Sequence, residues 1–95
     1  MSLLAHDGAD PVVLSDLGEA LALLPDQQDV ALFMLDTLAE RDLVASAEGY
    51  AALARLRQLA GRQLEAAHAL ERCRLMALVP ERACGWRERE IKAVS

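Results

Sequence analysis

The side chains best equipped for chemistry in this sequence are His68, Cys73 and Cys84, and their spacing works against it. His68 and Cys73 are five residues apart, about 140° around a helix axis, so they do not face each other. Cys73 and Cys84 are eleven apart, and no C-x₂-C or H-x₃-H pair supplies the rest of a tetrahedral metal site. The expectation is a half-exposed surface histidine and two small apolar core cysteines, with no disulfide framework, metal or cofactor. Aspartates are plentiful, but helix geometry pairs Asp36 with Glu40 on one face, a pattern that reads as a solvated stripe. Acid–base catalysis needs carboxylates whose environments push their pKa values apart, and nothing here implies such burial. Nucleophile-elbow, phosphate-loop and dinucleotide motifs do not occur, so no catalytic residue and no enzyme is expected. The tract Arg82 to Lys92, with Trp86 beside Arg87 and Arg89, has the parts to stack on and neutralise a nucleic acid. Its interleaved Glu81, Glu88 and Glu90 favour a salt-bridged helix instead, with Glu88 and Lys92 at the favourable i, i+4 spacing, so nucleic acid is not an expected partner.

Ninety-five residues and 10.3 kDa allow one small domain. Apolar residues make up 54% of it, mostly Ala and Leu, with a single Phe, Tyr and Trp, which favours helix over strand. Charge is strongly polarised. Residues 1–50 carry ten carboxylates against Arg41 alone, and residues 51–95 carry nine cations against five glutamates. That asymmetry invites an oppositely charged partner at either end, head-to-tail self-association, or simply two solvated helix faces. Val30 to Leu35, the longest strongly apolar run, is far short of a membrane span. The first seven residues lack the basic and apolar regions of an export signal, so a reducing cytoplasm, bacterial in compositional style, is the expected compartment.

Periodicity lays out the elements. Residues 1–10 read as a polar leader and 11–95 as a single all-helical domain. Pro11 opens a first helix with Leu14, Leu17, Leu21 and Leu24 on one face. Pro25-Asp26 breaks it, with Asp26 placed to cap a second helix over about 27–42, apolar at Val30, Phe33, Met34, Leu38 and Ala39. Ser46 is a candidate cap for a third helix carrying Tyr50, Leu53, Leu56, Leu59 and Ala60, which Gly61 closes in a left-handed turn. A fourth helix over about 62–78 presents Leu64, Ala66 or Ala67, Leu70, Leu75 and Leu78, and Pro80 ends it. A last helix over 81–93 would have Trp86 as its large anchor. The expectation is about five short helices in antiparallel hairpins (11–44 and 46–79) with a cap over 81–93.

Shifted by 36 residues, the chain partly matches itself. Gly49-Tyr50 falls on Gly85-Trp86, Gln27 on Gln63, Leu14 and Leu17 on Tyr50 and Leu53, and Pro25 on Gly61. A period of this size signals stacked helical hairpins, because one hairpin cannot bury its apolar face alone. Tyr50-Ala51-Ala52-Leu53-Ala54, with an aromatic followed by Leu and then a small residue, resembles the opening of a tetratricopeptide (TPR) repeat. Gly61, Ala66 and Leu70 match that family's turn, small and large positions. Leu14, Leu17, Gly18 and Leu21 reproduce the opening more loosely. Arg57, Gln63, Cys73 and the late Pro80 depart from the pattern, as does the 36-residue spacing.

The resemblance implies a protein-binding adaptor or chaperone whose first helices line a groove for an extended or amphipathic helical segment of another chain. Carried onto this sequence, the contact residues would be Ser15, Glu19, Ala22, Arg55 and Gln58. Small helical chaperones of bacterial secretion systems are similar in size and style. So short a stack also leaves apolar ends, so a homodimer or a partner chain is expected, and no membrane. A second resemblance, to a winged-helix domain, runs from Leu14-Ser15-Asp16-Leu17 to Glu48-Gly49-Tyr50 and would make Val44–Tyr50 a β-wing. With Arg41 alone against five carboxylates over 26–44, that version would serve regulation or dimerisation, because DNA would repel its recognition helix.

Overall fold

Asp10 accepts a hydrogen bond from the amide of Val12 at 2.9 Å and caps helix α1, Pro11–Leu21, which starts at the expected proline. In the computed structural model, which describes residues 10–85, four further helices follow: α2 Gln28–Glu40, α3 Ala47–Leu59, α4 Gln63–Met76 and the short α5 Pro80–Ala83. Pro25–Gln27 forms a 3₁₀ turn ahead of α2. There is no strand among the described residues, so the class is all-α. Val44 to Ser46 is a short connector and residues 47–50 are the first turn of α3, which leaves no room for a wing. Residues 1–9 of the expected leader 1–10 and residues 86–93 of the expected cap 81–93 lie outside the described residues, while Asp10 belongs to the start of α1.

Within each pair, α1–α2 and α3–α4, the helices pack with their numbering in opposite order. Gly18 of α1 lies against Leu35 of α2, where an added methyl would come within 3.0 Å of the Leu35 Cγ. Arg57 of α3 reaches the Glu65 carbonyl of α4 at 3.0 Å, and the Arg72 guanidinium of α4 lies 5.6 Å from the centre of the Tyr50 ring of α3. Two antiparallel pairs, α1–α2 and α3–α4, share one core containing Ala31, Leu35, Tyr50, Leu53, Ala54, Leu70 and Cys73. Both α2 and α3 end in the same way. Asp42 (φ 60°) and Gly61 (φ 83°) adopt the left-handed conformation, and the next amide reaches back to the carbonyls of Leu38 and Arg57, each at 2.8 Å.

Helices α1 to α4 fall close to where the periodicity puts them, but several are rotated. The expected helix over 81–93 is corrected, because α5 starts at Pro80 and stops at Ala83, with Cys84 and Gly85 in a bend and turn. The inward face of α1 is Ser15, Gly18 and Ala22, while Leu17 and Leu24 are about half exposed and Leu24 lies beyond the helix. In α2 the buried residues are Ala31, Leu35 and Leu38, and Val30 and Phe33 face out. In α4 they are Ala66, Ala69, Leu70 and Cys73, with Leu64, Leu75 and Leu78 exposed, as is Leu59 of α3. Helices meeting at close range bury small side chains and leave some leucines outside. Asp26 makes no capping bond; α2 starts from Gln27 without one.

Candidate functional site

Helices α1 and α3 run side by side in the same direction. Ser15 of α1 meets Ala45, Glu19 meets Ser46, and Ala22 and Leu23 stand opposite Ala51, Ala52 and Arg55, so numbers rise together along both. Between them lies an open groove of about 340 Å³. Its floor is apolar, from Ala22, Leu23, Ala51 and Ala52; Glu19, Glu48 and Arg55 add charge, and Ala83 of α5 adds to its lining. The spacing explains part of this convergence: 48, 51, 52 and 55 share a face of α3, while Glu19 in the last turns of α1 is joined by Ala22 and Leu23 from the turn that follows it.

Three of the five expected contact residues, Glu19, Ala22 and Arg55, line this groove. Ser15 does not. It is fully buried, and its hydroxyl accepts the Ala45 amide at 2.9 Å, fixing the entry to α3. Gln58 is half-buried, has interactions of its own and is not part of the groove lining. Leu23, Glu48, Ala51, Ala52 and Ala83 were not anticipated. For the α3 set, the i, i+3, i+4 and i+7 spacing of Glu48, Ala51, Ala52 and Arg55 was the available signal; nothing local pointed to Ala83.

Charge is crowded at one end of the groove. Burial pushes the Glu19 carboxyl above the usual carboxylate range, and the nearby Glu48 and Asp16 carboxylates add to the rise. Only the Ser46 hydroxyl, which donates to Glu19 at 3.3 Å, opposes it. The same Ser46 oxygen accepts the Gly49 amide at 2.9 Å, so the expected cap of α3 also anchors the groove wall.

A second cleft, about 410 Å³, lies beside α4 and is lined by Glu40, Asp42, Tyr50, His68, Glu71 and Arg72 among others. Two of its polar side chains are tied to the same carboxylate, Asp42. Arg72 pairs with Asp42 at 2.7 Å, and the Tyr50 hydroxyl donates to Asp42 at 3.4 Å. Deeper in, Asp36 is held by Arg57 at 2.7 Å and Arg62 at 2.9 Å, joining α2, α3 and the α3–α4 turn. Asp36 is therefore a tie between elements and no solvated stripe with Glu40. Arg62 also pairs with Glu65 and holds its carboxyl below the usual range. His68 is exposed, and the described residues contain no group of three or more metal-ligating side chains.

Cys73 and Cys84 are buried, as expected of core groups, but they are bonded to each other across α4 and α5. The expectation of two separate cysteines is corrected. The α4–α5 bend brings positions eleven apart into contact, which spacing alone does not reveal. Among the described residues no helix is long and apolar enough to cross a membrane. No protein-family model matches this chain, nor does any curated protein or solved structure.

Proposed function

We propose that this chain is a non-enzymatic protein-binding adaptor or chaperone, built from TPR-like helical hairpins, that holds a segment of another protein between α1 and α3. One observation carries the reading: two parallel helices present small apolar residues to an open groove with charged residues along it. Such a surface suits an extended or amphipathic helical segment that sets apolar side chains on Ala22, Leu23, Ala51 and Ala52. The carboxylates at Glu19, Glu48 and Asp16 favour cationic residues in that segment. The second cleft is a weaker candidate because its Arg72 and Tyr50 are already engaged by Asp42.

Self-association is the companion proposal, supported by the outward-facing Val13, Leu17, Val30 and Phe33 of the first hairpin. A cytoplasmic location fits a chaperone of this kind; there the Cys73–Cys84 pair would face reducing conditions. The adaptor reading is tested by titrating the chain with a labelled basic amphipathic peptide and following fluorescence anisotropy. Leu23→Glu adds a charge at an exposed edge of the floor without touching the core, and Arg55→Glu reverses the charge at the other end. Saturable binding is expected, weakened about tenfold by Leu23→Glu, as losing one apolar anchor implies. Binding that ignores Leu23→Glu while helicity and melting temperature are unchanged counts against the groove.

A further inference from the structure

We propose that the chain carries its own occupant for this groove, residues 86–95, which acts as a built-in competitor of the partner segment. This rests on the groove reading above. The described chain ends at Gly85, two residues after the groove: Ala83 contributes to its lining, and the next residue, Cys84, is fixed to Cys73 of α4. Trp86 therefore enters the sequence three positions after a groove residue, with no linker to span.

The chemistry of the two surfaces is matched. The floor is made of alanines and Leu23, a shallow apolar bed suited to one flat side chain, and Trp86 is the one tryptophan of the chain. Glu19, Glu48 and Asp16 crowd one end with negative charge, while Arg87, Arg89 and Lys92 bring three cations against Glu88 and Glu90, leaving Arg89 free of the Glu88–Lys92 pairing to meet the carboxylates. On a helix, Trp86 and Arg89 share a face three residues apart, so an apolar anchor and a cation meet floor and carboxylates together. From Glu48 to Arg55, α3 rises about 11 Å, a length that ten residues cover whether helical or extended. Tethering supplies the remainder. A segment attached at the rim experiences a high effective concentration, commonly millimolar, so modest contacts keep it bound until a stronger segment displaces it.

Trp86 reports on its own surroundings, because its fluorescence is the only tryptophan signal in these 95 residues. The expected emission is blue-shifted and shielded from acrylamide relative to the urea-unfolded chain. Glu48→Arg, at an exposed position, should move the emission toward the unfolded value, and Arg89→Glu in the same background should restore it. Raising the salt from 0.01 M to 1 M, which shortens the screening length from about 30 Å to about 3 Å, should weaken the shielding. Trp86→Ala should bind the basic amphipathic peptide several-fold more tightly than the unaltered chain.

The proposal is overturned if Trp86 emits as in the unfolded chain, or if its emission ignores both Glu48→Arg and Leu23→Glu. Circular dichroism of each variant separates a lost contact from a lost fold, and Arg89→Glu alone tests the contact from outside the described core. The two readings fail differently. If only the tail proposal fails, the unaltered chain and Trp86→Ala bind the peptide equally; if the groove reading fails, neither binds it.

Discussion

Glu19 stands where the packing of α1 on α3 meets the groove, and two opposing influences act on it: the Ser46 hydroxyl steadies its charge, while burial, Glu48 and Asp16 penalise it. The second influence wins, so the folded chain binds this proton more tightly than the unfolded chain. Stability from such a group is full below the ordinary carboxylate range and is lost as pH rises through the elevated value. At neutral pH the ionised Glu19 is therefore a liability, one a binding groove can retain for the sake of a cationic ligand. Glu19→Gln removes the charge and keeps an acceptor for Ser46. Thermal melts should show a slightly higher melting temperature at neutral pH, worth less than about 1 kcal/mol because water screens the site. The gain should vanish in acid; an equal difference at both pH values would mean that charge is not the cause. The role of Ser46 was readable at this scale, since a cap depends on its own neighbours in sequence. Ser15 was not: its hydroxyl serves Ala45, thirty residues away, and only the packed helices bring them together.

Helix α3 begins in a tight corner. An added Cβ at Gly49 would lie 2.8 Å from Cγ1 of Val44, 3.3 Å from the Ser46 oxygen and 3.4 Å from that of Ser15. Alanine is the better helix former by about 1 kcal/mol, so propensity alone predicts that Gly49→Ala stabilises the protein. The neighbours decide otherwise, because Val44 and Ser15 are themselves buried and cannot swing into solvent. The net expectation is a loss of about 1–3 kcal/mol in urea unfolding, typical of an overpacked interior. A variant as stable as the parent would show that this corner has slack. Element positions were legible in the sequence because prolines, Ser46 and Gly61 mark them locally. The buried faces were less so. Leucine spacing identified a stripe on α1, but α2 and α3 both crowd its Ser15–Gly18–Ala22 side, and close approach selects small residues over large ones. The end of α2 was legible to within two residues, but the way it closes was not: a non-glycine residue, Asp42, takes the left-handed position and is held there by Arg72 and Tyr50 from other helices.

Across the whole molecule, the Cys73–Cys84 bond is the covalent link between the core and the edge of the groove. It joins the inward face of α4 to the residue after α5, one position beyond Ala83. The α5 helix has only four residues, too few to stand without packing, so the bond and the core contact of Cys84 together hold it in place. Closing a loop of this length removes unfolded-state entropy worth roughly 3 kcal/mol. In a chain this small that is a large share of the total. Reduction with dithiothreitol should therefore lower the melting temperature clearly, with most helical signal retained below the transition because α1 to α4 keep their mutual core. The Cys73→Ala/Cys84→Ala double variant should melt near the reduced protein and be insensitive to dithiothreitol. Equal melting temperatures for oxidised and reduced chains would mean that packing alone holds α5. A difference of the expected size would make the redox state of the surroundings a determinant of how firmly the edge of the groove is built.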